Sequence, residues 1–491
     1  MKLGLLLKNI IGVTLPAGAE NIEITSVVHD SRKVEAGSLF ICLRGLTADG
    51  HDFIDKAATA GAAAILVDNL VDKDYPKKKG GCDAVFIQVE NTRRAMATIA
   101  ANFHGNPAKN LKLIGVTGTN GKTTTTYLTE EILRKCGRKT GLIGTVMIGI
   151  NGEPMNLTFA TSTTPDPLEL HDIFEKMVAA GVQYVVMEVS SHALALFKMH
   201  GLAFEVGVFT NLTQDHLDFH GTMENYRIAK ARLFEQSRFA VVNTDDESTP
   251  TMLEHHGNEP FMTYGIKTAA DLRAIHIVHK PTGAEFSLES DKTKISLPLR
   301  GLFNVYNSLA AIGTALALGL EKSQVREAAA TLSCVPGRIQ AVPNSRGLNV
   351  LVDYAHSPDG LENIISAVRE VTTGRVITLF GCGGDRDKSK RPIMGEIAGK
   401  FSDYCIITSD NPRTETPEEI LAQIEIGVKE TATPYIIIED RRDAIFAGIK
   451  ELNPEDALII AGKGHENYQL IGTKKHHFDD FEVASEALNE A

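Results

Sequence analysis

The stretch GVTGTNGKTTTT, residues 115–126, places three glycines ahead of a Lys-Thr pair. The usual triphosphate-binding pattern has a glycine six residues before the lysine, and Val116 occupies that position here. The apolar run LKLIGV before the loop predicts a buried parallel strand. After the loop, apolar residues recur at helical spacing as far as Gly137. A strand, a glycine loop and a helix in this order predict a phosphate-binding site.

The residues of this loop favour a nucleoside triphosphate as its ligand. Glycines let backbone N–H groups turn inward, Lys122 supplies a positive charge toward the outer phosphates, and Thr123 offers a hydroxyl to Mg²⁺. A dinucleotide-binding site is the main alternative. Such a site does not use a Lys-Thr pair at the helix start, and the acidic residue that it needs at the end of a strand about 20 residues further on is missing here. A plain glycine turn with a surface lysine is the third reading.

Bulk properties indicate a modular globular protein. The chain has 491 residues, 43% of them hydrophobic, and a formal net charge of −12. That length predicts about three domains, and the negative charge argues against a nucleic-acid partner. The six cysteines lack metal-ligand spacing, which predicts reduced thiols in a cytoplasmic protein. No apolar run reaches the roughly 20 residues that a membrane span needs.

Three domains are predicted, with α/β architecture throughout. Residues 1–107 are predicted to form a small α/β recognition domain. Residues 108–336 are predicted to form a central domain with a parallel sheet behind the phosphate loop. The polar stretch FHGNPAKN, residues 103–110, is the expected linker. From residue 337 to 491, strands alternate with helices, which predicts a doubly wound parallel sheet of the Rossmann type.

Polar side chains follow two further strands of the central segment. YVVMEVSSH ends in Glu188 and His192, and the run that begins EVGVFTN leads to Asp215 and His216. In an open parallel sheet, ligands sit beyond the carboxyl ends of the strands, so both clusters are expected to face the phosphate loop. Glu188 and His216 then suit Mg²⁺ support. The alternatives are a turn cap for Glu188 and a solvated loop histidine for His216.

Several motifs together resemble the Mur ligase family of bacterial peptidoglycan synthesis. They run in order along nearly the whole chain and are GVTGTNGKTTT, EVSSHAL, TNLTQDHLDFHG, YRIAK, GLFNVYN, PGR, DYAHSP, GCGGDRDKSKRP and DNPR. Mur ligases have a UDP-sugar domain, a central ATPase domain with a P-loop of its own spacing, GxxGTNGKT, and a C-terminal Rossmann-like domain that receives an amino acid. The resemblance therefore implies an ATP-dependent ligase that forms an amide through an acyl phosphate.

The resemblance also implies roles for residues around ATP and Mg²⁺. Lys122, Glu188, His216 and Lys230 would be catalytic. Lys230 corresponds to a carbamylated lysine that supports a metal ion; the alternative is an ordinary lysine on a helix surface. The metal set would comprise Thr123, Glu188, His216 and Lys230. The ATP set would comprise Gly118, Thr119, Asn120, Gly121, Lys122, Thr123, Thr124, Asn304, Asn307, Arg338 and Asp353.

For the other substrates, the resemblance implies UDP-N-acetylmuramoyl-L-alanyl-D-glutamate and meso-diaminopimelate, bound by a monomer. The D-glutamate side-chain carboxylate would accept the amino acid. Lys198 stands where the family often has Arg. Its contact with the muramoyl-dipeptide therefore lacks the planar guanidinium that can hold a carboxylate with two hydrogen bonds. The muramoyl-dipeptide set is Ser31, Thr47, Thr163, Thr164, Ser190 and Lys198. The diaminopimelate set is Arg386, Asp410, Asn411, Pro412, Arg413, Gly462 and Glu466.

The DNPR motif favours diaminopimelate over L-lysine, the main alternative, as the amino-acid substrate. A guanidinium can hold the second carboxylate of diaminopimelate with two hydrogen bonds, whereas it would repel the ammonium of lysine. The alternative for Arg413 is a surface arginine beside a helix. Folylpolyglutamate synthase shares the loop but lacks a UDP-sugar domain. A nucleotide-binding scaffold without catalysis is the remaining hypothesis, and the full set of charged site residues argues against it.

Overall fold

The computed structural model describes residues 1–45, 48–68, 84–157, 163–280, 283–333 and 335–490. Thr47, which was predicted to contact the UDP-sugar, lies outside them. Contacts between residues divide the chain into two compact units. Unit 1 comprises Met1–Gly115, Lys139–Glu205 and Arg232–Arg238. Unit 2 comprises Val116–Arg138, Val206–Ala231 and Phe239–Ala491.

The strands of the described residues are as follows, in chain order: β1 (Ser26–Val28), β2 (Ser38–Ile41), β3 (Ala64–Asp68), β4 (Val85–Val89), β5 (Lys112–Thr117), β6 (Thr140–Ile143), β7 (Ile148–Ile150), β8 (Glu153–Pro154), β9 (Tyr184–Glu188), β10 (Phe204–Phe209), β11 (Ala240–Asn243), β12 (Phe261–Gly265), β13 (Leu272–Lys280), β14 (Gly283–Leu288), β15 (Lys294–Leu297), β16 (Gln340–Ala341), β17 (Asn349–Asp353), β18 (Val376–Phe380), β19 (Tyr404–Ile407), β20 (Tyr435–Ile437), β21 (Ala457–Ala461), β22 (Tyr468–Ile471) and β23 (Lys474–His477).

The α-helices of the same residues are α1 (Leu3–Leu6), α2 (Ile54–Thr59), α3 (Thr92–Phe103), α4 (Lys122–Lys135), α5 (Pro167–Ala179), α6 (Ser191–Ala195), α7 (Leu217–His220), α8 (Met223–Ala231), α9 (Thr249–His256), α10 (Leu302–Ala317), α11 (Lys322–Ala329), α12 (Pro358–Arg369), α13 (Lys390–Phe401), α14 (Pro417–Lys429), α15 (Arg441–Lys450) and α16 (Asp480–Glu490). None of these described helices is long and apolar enough to cross a membrane.

Unit 1 begins with a four-stranded parallel sheet in the order β1-β2-β3-β4. Its core joins alternate strand residues such as Leu39 and Ile41 to Ile99 of α3. The expected linker at 103–110 contains a 3-10 helix, Pro107–Asn110, that leads into β5. Further along, β9 pairs in parallel with β6, and β7 and β8 continue as an antiparallel extension. Strand β5 contributes residues to both units.

The first part of unit 2 carries the strand order β10-β11-β12-β13-β14-β15. The first four are parallel, whereas β14 and β15 are antiparallel. Helices α4 and α10 pack against each other. The predicted strand before the phosphate loop and the helix after it are confirmed as β5 and α4, with Gly137 just beyond the helix C-cap.

The rest of unit 2 contains the predicted doubly wound sheet, in the order β16-β17-β21-β18-β19-β20. All neighbours are parallel except β16. Alternate residues face two separate cores: Ile459 packs with α12, α13 and α14, whereas Ile460 packs with α15 and α16. Helices therefore cover both faces of the sheet. This explains why the sequences of these strands are continuous apolar runs.

The structure describes four of the six cysteines, and all four are free thiols. They are Cys42, Cys136, Cys382 and Cys405. Burial raises the pKa of Cys405 to about 12, so that thiol is protonated at neutral pH. Cys82 and Cys334 lie outside the described residues.

Candidate active site

The phosphate loop connects the end of β5 to the first residue of α4, Lys122. Gly121 has a φ of 82°, and a Cβ atom there would collide with Oδ1 of Asn307 on α10. The loop is also held from the end of β10, because the Asn120 N–H donates to Asn211 Oδ1 at 2.9 Å. Packing from two sides therefore gives the loop one conformation, with the N-terminus of α4 behind it.

Two lysines converge on this loop. Lys122 donates to the carbonyl oxygens of Gly118 at 2.9 Å and Thr119 at 2.7 Å. Lys230 on α8 donates to the same Gly118 oxygen at 2.6 Å, and its Nζ lies 4.4 Å from the centre of the Tyr226 ring. The Tyr226 hydroxyl in turn lies 3.1 Å from the Thr119 hydroxyl. Helix α8 is thereby joined to the loop at two points.

Lys230 is 1% exposed, so the alternative of an ordinary surface lysine is wrong. Burial, and then the neighbouring Lys122 ammonium, lower the pKa of Lys230 well below its ordinary value. Asp215 opposes this effect through its negative charge. Lys230 is therefore poised to be a neutral amine, which is a nucleophile.

A cavity of about 460 Å³ lies beside the loop within unit 2. It is lined by Asn120, Gly121 and Thr124 from the loop region, by Phe303, Tyr306 and Asn307 from α10, and by Arg338, Asp353, Tyr354, His356 and Asp359 from the following segment, among others. Polar groups and aromatic rings alternate along its wall. Such a lining suits a ligand with a flat ring and charged groups.

Hydrogen bonds connect the residues predicted to bind ATP. Arg338 Nη2 donates to the Thr123 hydroxyl at 3.1 Å. Asn307 Nδ2 donates to Asn304 Oδ1 at 3.1 Å, and the Thr125 hydroxyl donates to Asn307 Oδ1 at 3.3 Å. Three segments that are distant in sequence thus meet around the start of α4.

Asp353 ends strand β17 and is buried. Its Oδ2 accepts from the Ile339 N–H at 2.8 Å and its Oδ1 from the Ala355 N–H at 2.8 Å. Burial raises the pKa of Asp353, although the Arg338 guanidinium opposes that rise. Asp353 therefore supports the chain on both sides of the cavity wall, next to Arg338.

His216 begins helix α7 with a φ of 55°. Its side chain is 43% exposed, and its Nε2 lies 3.5 Å from Asp215 Oδ2. Burial raises the pKa of Asp215, but His216, His356 and Lys390 together outweigh burial and lower it. The carboxylate is therefore ionised and surrounded by basic groups.

In unit 1, Glu188 is the last residue of β9 and is 1% exposed. Its Oε1 accepts from the Thr145 N–H at 2.8 Å, and its Oε2 lies 3.2 Å from the Thr145 hydroxyl. The Thr145 hydroxyl also lies 3.0 Å from that of Thr163. Thr164 donates to the Glu188 carbonyl oxygen at 2.9 Å and accepts from the Ser190 N–H at 3.0 Å.

Lys198 joins the same cluster of unit 1. Its Nζ makes an ion pair with Asp166 at 2.9 Å and donates to the Thr164 carbonyl oxygen at 3.3 Å. Thr163, Thr164, Ser190 and Lys198, four of the residues expected at the muramoyl-dipeptide, are thus close together around Glu188. Ser31 belongs to a different element, the 3-10 helix Ser31–Lys33, which Asp30 caps by accepting from the Arg32 N–H.

The DNPR motif follows β19, and its arginine has an unusual conformation. Arg413 has a φ of 53°, and its Nη1 donates to the Gly384 carbonyl oxygen at 2.7 Å. Its N–H donates to Leu470 O at 3.0 Å, and its own carbonyl oxygen accepts from the Gly472 N–H at 2.7 Å. The hairpin of β22 and β23 therefore holds the Arg413 backbone in place. Non-glycine residues with positive φ are uncommon and occur preferentially at functional sites.

Further charged groups surround Arg413. Burial and Glu466 raise the pKa of Tyr468, whereas Arg413 and Arg386 oppose the rise. Arg386 is exposed and donates to the Asp385 carbonyl oxygen at 3.1 Å. Pro412, between Asn411 and Arg413, is buried. Two guanidinium groups and two carboxylates thus lie around one tyrosine.

The acidic side of this region is formed by buried and half-buried groups at two strand ends. Asp410 and Asn411 follow β19, and Gly462 and Glu466 follow β21. Asn411 Nδ2 donates to Glu466 Oε2 at 2.9 Å. A Cβ atom on Gly462 would lie 2.6 Å from Asp410 Oδ2, so the two strand ends are in close contact. Such a set can hold an amino-acid ammonium.

Sequence reasoning missed two groups of residues here. Tyr306, Phe303 and His356 line the cavity although only their neighbours in GLFNVYN and DYAHSP were singled out. Lys463 is completely buried next to Asn411 and Glu466. The sequence GKGHE, residues 462–466, contained a signal, because Lys463 lies between Gly462 and Glu466, two predicted site residues.

Family models match three parts of the chain. Residues 23–104 match "Mur ligase family, catalytic domain", residues 116–315 match "Mur ligase middle domain", and residues 337–464 match "Mur ligase, glutamate ligase domain". The three matches follow one another in the order that the motifs predicted.

Full-length similarity extends these matches. The chain is 47% identical to UDP-N-acetylmuramoyl-L-alanyl-D-glutamate--2,6-diaminopimelate ligase 1 of Clostridium acetobutylicum, over 99% of each chain. A solved structure of UDP-N-acetylmuramoyl-L-alanyl-D-glutamate--2,6-diaminopimelate ligase is 32% identical and covers 95% of each chain with a TM-score of 0.66. The MurF ligase of Thermotoga maritima, solved with ADP, is 19% identical and shares the fold over 96% of each chain with a TM-score of 0.61. The chain belongs to the Mur ligase family.

Proposed function

We propose that the protein is an ATP-dependent ligase that joins meso-diaminopimelate to the D-glutamate side-chain carboxylate of UDP-N-acetylmuramoyl-L-alanyl-D-glutamate. One observation carries the choice of amino acid: Arg413 is fixed by its backbone, and Tyr468 interacts with Arg413 as well as with the acidic pair of Asp410 and Glu466. A guanidinium on one side and carboxylates on the other match an amino acid with a second carboxylate. The Clostridium acetobutylicum relative with 47% identity is named a UDP-N-acetylmuramoyl-L-alanyl-D-glutamate--2,6-diaminopimelate ligase, and this name supports the proposed substrates.

ATP would bind in the cavity of unit 2, with its phosphates on the loop. The N-terminus of α4 and Lys122 would hold the outer phosphates, and Arg338 would reach the same region beside Thr123. Asn304, Asn307 and Asp353 would hold the nucleoside from α10 and β17. ADP in the related MurF structure supports this nucleotide.

Mg²⁺ is the metal that this chemistry requires, and the donor types fit it. The Thr123 hydroxyl and the His216 imidazole of unit 2 are candidate ligands, and the hydroxyl is the kind of hard oxygen donor that Mg²⁺ prefers. Among the described residues, no group of three or more His, Cys, Asp or Glu side chains is arranged so that it could hold a metal ion. Magnesium bound with phosphates usually keeps several waters, which fits a sparse set. When bound, it would neutralise charge on the phosphates.

Lys230 would complete the metal site as a carbamate. A neutral amine adds to CO₂, forming a C–N bond and releasing one proton, and the product carries a negative carboxylate-like group. Burial beside Lys122 favours the neutral amine that this addition needs. The carbamate would then place a negative group next to the Lys122 ammonium.

The reaction would proceed in two steps. The substrate carboxylate oxygen attacks the γ-phosphorus of ATP, and the bond to the bridging oxygen breaks, giving an acyl phosphate and ADP. Lys122 would stabilise the charge that develops on the phosphoryl oxygens. The amine of diaminopimelate then attacks the acyl carbon, a C–N bond forms, phosphate leaves, and the amine proton passes to solvent.

We assign the remaining parts of the chain by the same proposal. Residues 1–107 would bind the UDP-sugar, with Ser31 among the contacts, residues 108–336 would bind ATP, and residues 337–491 would bind the amino acid. Thr163, Thr164, Ser190 and Lys198, grouped around Glu188, would contact the muramoyl-dipeptide. The enzyme would act as a cytoplasmic monomer.

A competition assay tests the proposal. The purified protein is incubated with ATP, Mg²⁺, UDP-N-acetylmuramoyl-L-alanyl-D-glutamate and equal concentrations of meso-diaminopimelate and L-lysine, and the products are separated by mass spectrometry. We expect ADP release to depend on all substrates and the diaminopimelate adduct to dominate. A dominant lysine adduct would transfer the assignment to the lysine-adding class. Absence of any adduct would favour the alternative hypothesis of a nucleotide-binding scaffold without catalysis.

A further inference from the structure

Lys463 is a completely buried basic residue beside the candidate amino-acid site. It follows β21 in the motif GKGHE and has no exposed side-chain surface. A lysine is rarely buried without partners, because its ammonium loses hydration that other groups must replace. The groups that face it therefore indicate what it does.

Two residues of the candidate amino-acid site receive the Lys463 ammonium. Its Nζ lies 3.2 Å from Asn411 Oδ1 and 3.5 Å from Glu466 Oε2. Asn411 Oδ1 also accepts from the Leu470 N–H at 2.9 Å, so two donors converge on that oxygen. The amide can satisfy both only with its Nδ2 turned toward Glu466, where it donates at 2.9 Å.

Charged and titratable groups from several elements face Glu466. Burial and the nearby Asp410 raise the pKa of Glu466, whereas Lys463 and the hydrogen bond from Asn411 oppose the rise. Arg441 of α15 also interacts with this carboxylate, as do Tyr354 after β17 and Tyr468 of β22. Among these groups Lys463 is the cation that is within 4 Å of the Glu466 carboxylate.

We propose that Lys463 is a positioning residue for the amino-acid substrate: its ammonium fixes the orientation of the Asn411 amide and lies against the Glu466 carboxylate, so that Glu466 can receive the ammonium group of the incoming amino acid. This inference rests on the proposed function, which places the amino acid at Asn411 and Glu466. Lys463 acts through these two residues.

Kinetics of Lys463 variants test the proposal. Lys463→Gln keeps a hydrogen-bond donor without charge, and Lys463→Met removes both. We expect KM for diaminopimelate to rise about tenfold to a hundredfold in both variants, because a charged hydrogen bond to a buried carboxylate is lost. KM for ATP should change less than about twofold. The acid limb of kcat/KM for diaminopimelate should move to higher pH, because Glu466 without Lys463 takes up its proton more readily.

Lys475→Met is the matched control. Lys475 lies 4.3 Å from the centre of the Tyr468 ring but is exposed, whereas the Lys463 Nζ lies 5.7 Å from the same ring. The control variant should keep the wild-type KM and pH profile. Equal effects of Lys475→Met and Lys463→Met, or a Lys463→Gln enzyme with the wild-type acid limb, would overturn the proposal.

A measurement without substrate separates this inference from the proposed function. The carboxyl carbons of the glutamates are labelled with ¹³C, the Glu466 signal is assigned with Glu466→Gln, and its titration is followed by NMR. The pKa of Glu466 should be higher in Lys463→Gln than in the wild-type protein and unchanged in Lys475→Met. An unchanged pKa in Lys463→Gln would refute the role of Lys463, whatever amino acid the enzyme uses. If the wild-type protein did not incorporate diaminopimelate, the proposed function would be refuted. The titration would still show whether Lys463 changes the pKa of Glu466.

Discussion

Lys122 and Lys230 donate to the same oxygen, the carbonyl of Gly118, at 2.9 and 2.6 Å. Two ammonium groups at one acceptor repel each other, and only Lys230 is completely enclosed. Burial and the neighbouring Lys122 ammonium lower the pKa of Lys230 well below its ordinary value. One carbonyl of the loop thus holds two lysines, of which the buried one is shifted toward the neutral amine.

Lys122→Ala should lower turnover by about 10² to 10³ or more, because Lys122 stabilises charge that develops during phosphoryl transfer. The fold should be retained, since the Lys122 side chain donates to carbonyl oxygens of its own loop, those of Gly118 and Thr119. Phosphate release measures turnover, and the thermal unfolding midpoint measures stability. An unchanged rate would contradict the proposal that ATP binds at this loop.

Lys230→Ala should lose most activity, because the carbamate that we propose there is removed. Short carboxylic acids such as acetate are expected to restore part of the activity by occupying the vacated space near Tyr226. Incorporation of ¹³C-labelled bicarbonate into the wild-type protein, followed by NMR, reports the carbamate directly. Full activity of the untreated variant would contradict this role.

Gly121→Ala should raise KM for ATP strongly, because the new Cβ atom would collide with Asn307 Oδ1, so that the loop or Asn307 must move. Gly137→Ala is the matched control: Gly137 also has a positive φ, of 76°, but a Cβ atom there would have no neighbour within 4 Å. Both variants should lose about 1 kcal/mol of stability from backbone strain. Only Gly121→Ala should change ATP kinetics; the same KM change in both variants would contradict a specific role of the loop.

Arg413→Ala should raise KM for diaminopimelate by a few hundredfold or more, corresponding to several kcal/mol, because the distal carboxylate loses its partner. KM for ATP and for the UDP-sugar should be nearly unchanged. Arg413→Lys should restore only part of the affinity, since a point charge cannot reproduce a two-pronged contact. Undiminished preference for diaminopimelate over L-lysine in Arg413→Ala would place specificity elsewhere.

Glu415→Gln should destabilise unit 2 at neutral pH by about 3 kcal/mol, because the completely buried Arg391 loses a bidentate partner. The hydrogen bond from Arg391 outweighs burial and lowers the pKa of Glu415 from 4.5 to about 2. A lowered pKa stabilises the fold above pH 4.5, and this contribution disappears as the pH falls through about 2.

Denaturant unfolding of the wild-type protein and Glu415→Gln at a series of pH values measures this effect. The difference between them should be constant above pH 4.5 and decrease toward pH 2. The control is Glu418→Gln on the exposed side of α14. A pH-independent difference, or an equal effect in the control, would refute the assignment to the Arg391 pair.

Local patterns in the sequence were sufficient for the elements and for the parts of the site that belong to one motif. The strand before the phosphate loop, the helix after it and the alternation of strands and helices after residue 337 all follow from apolar periodicity and glycine position, and the structure confirms them. These signals are short-range, because hydrogen bonds within a helix and the alternation within a strand involve neighbouring residues. The motifs therefore determined the family, and with it the phosphate loop and DNPR.

Only the tertiary structure decided which side chains are buried and which distant groups meet. Lys230 has the helical spacing of a surface lysine, and its enclosure against Gly118, 112 residues away, results from packing of α8 on the loop. Lys463 meets Asn411 across 52 residues because β19 and β21 both end at one edge of the sheet. A single sequence without such contacts cannot distinguish a buried charge from a solvated one, since the desolvation that changes its pKa depends on every element packed around it.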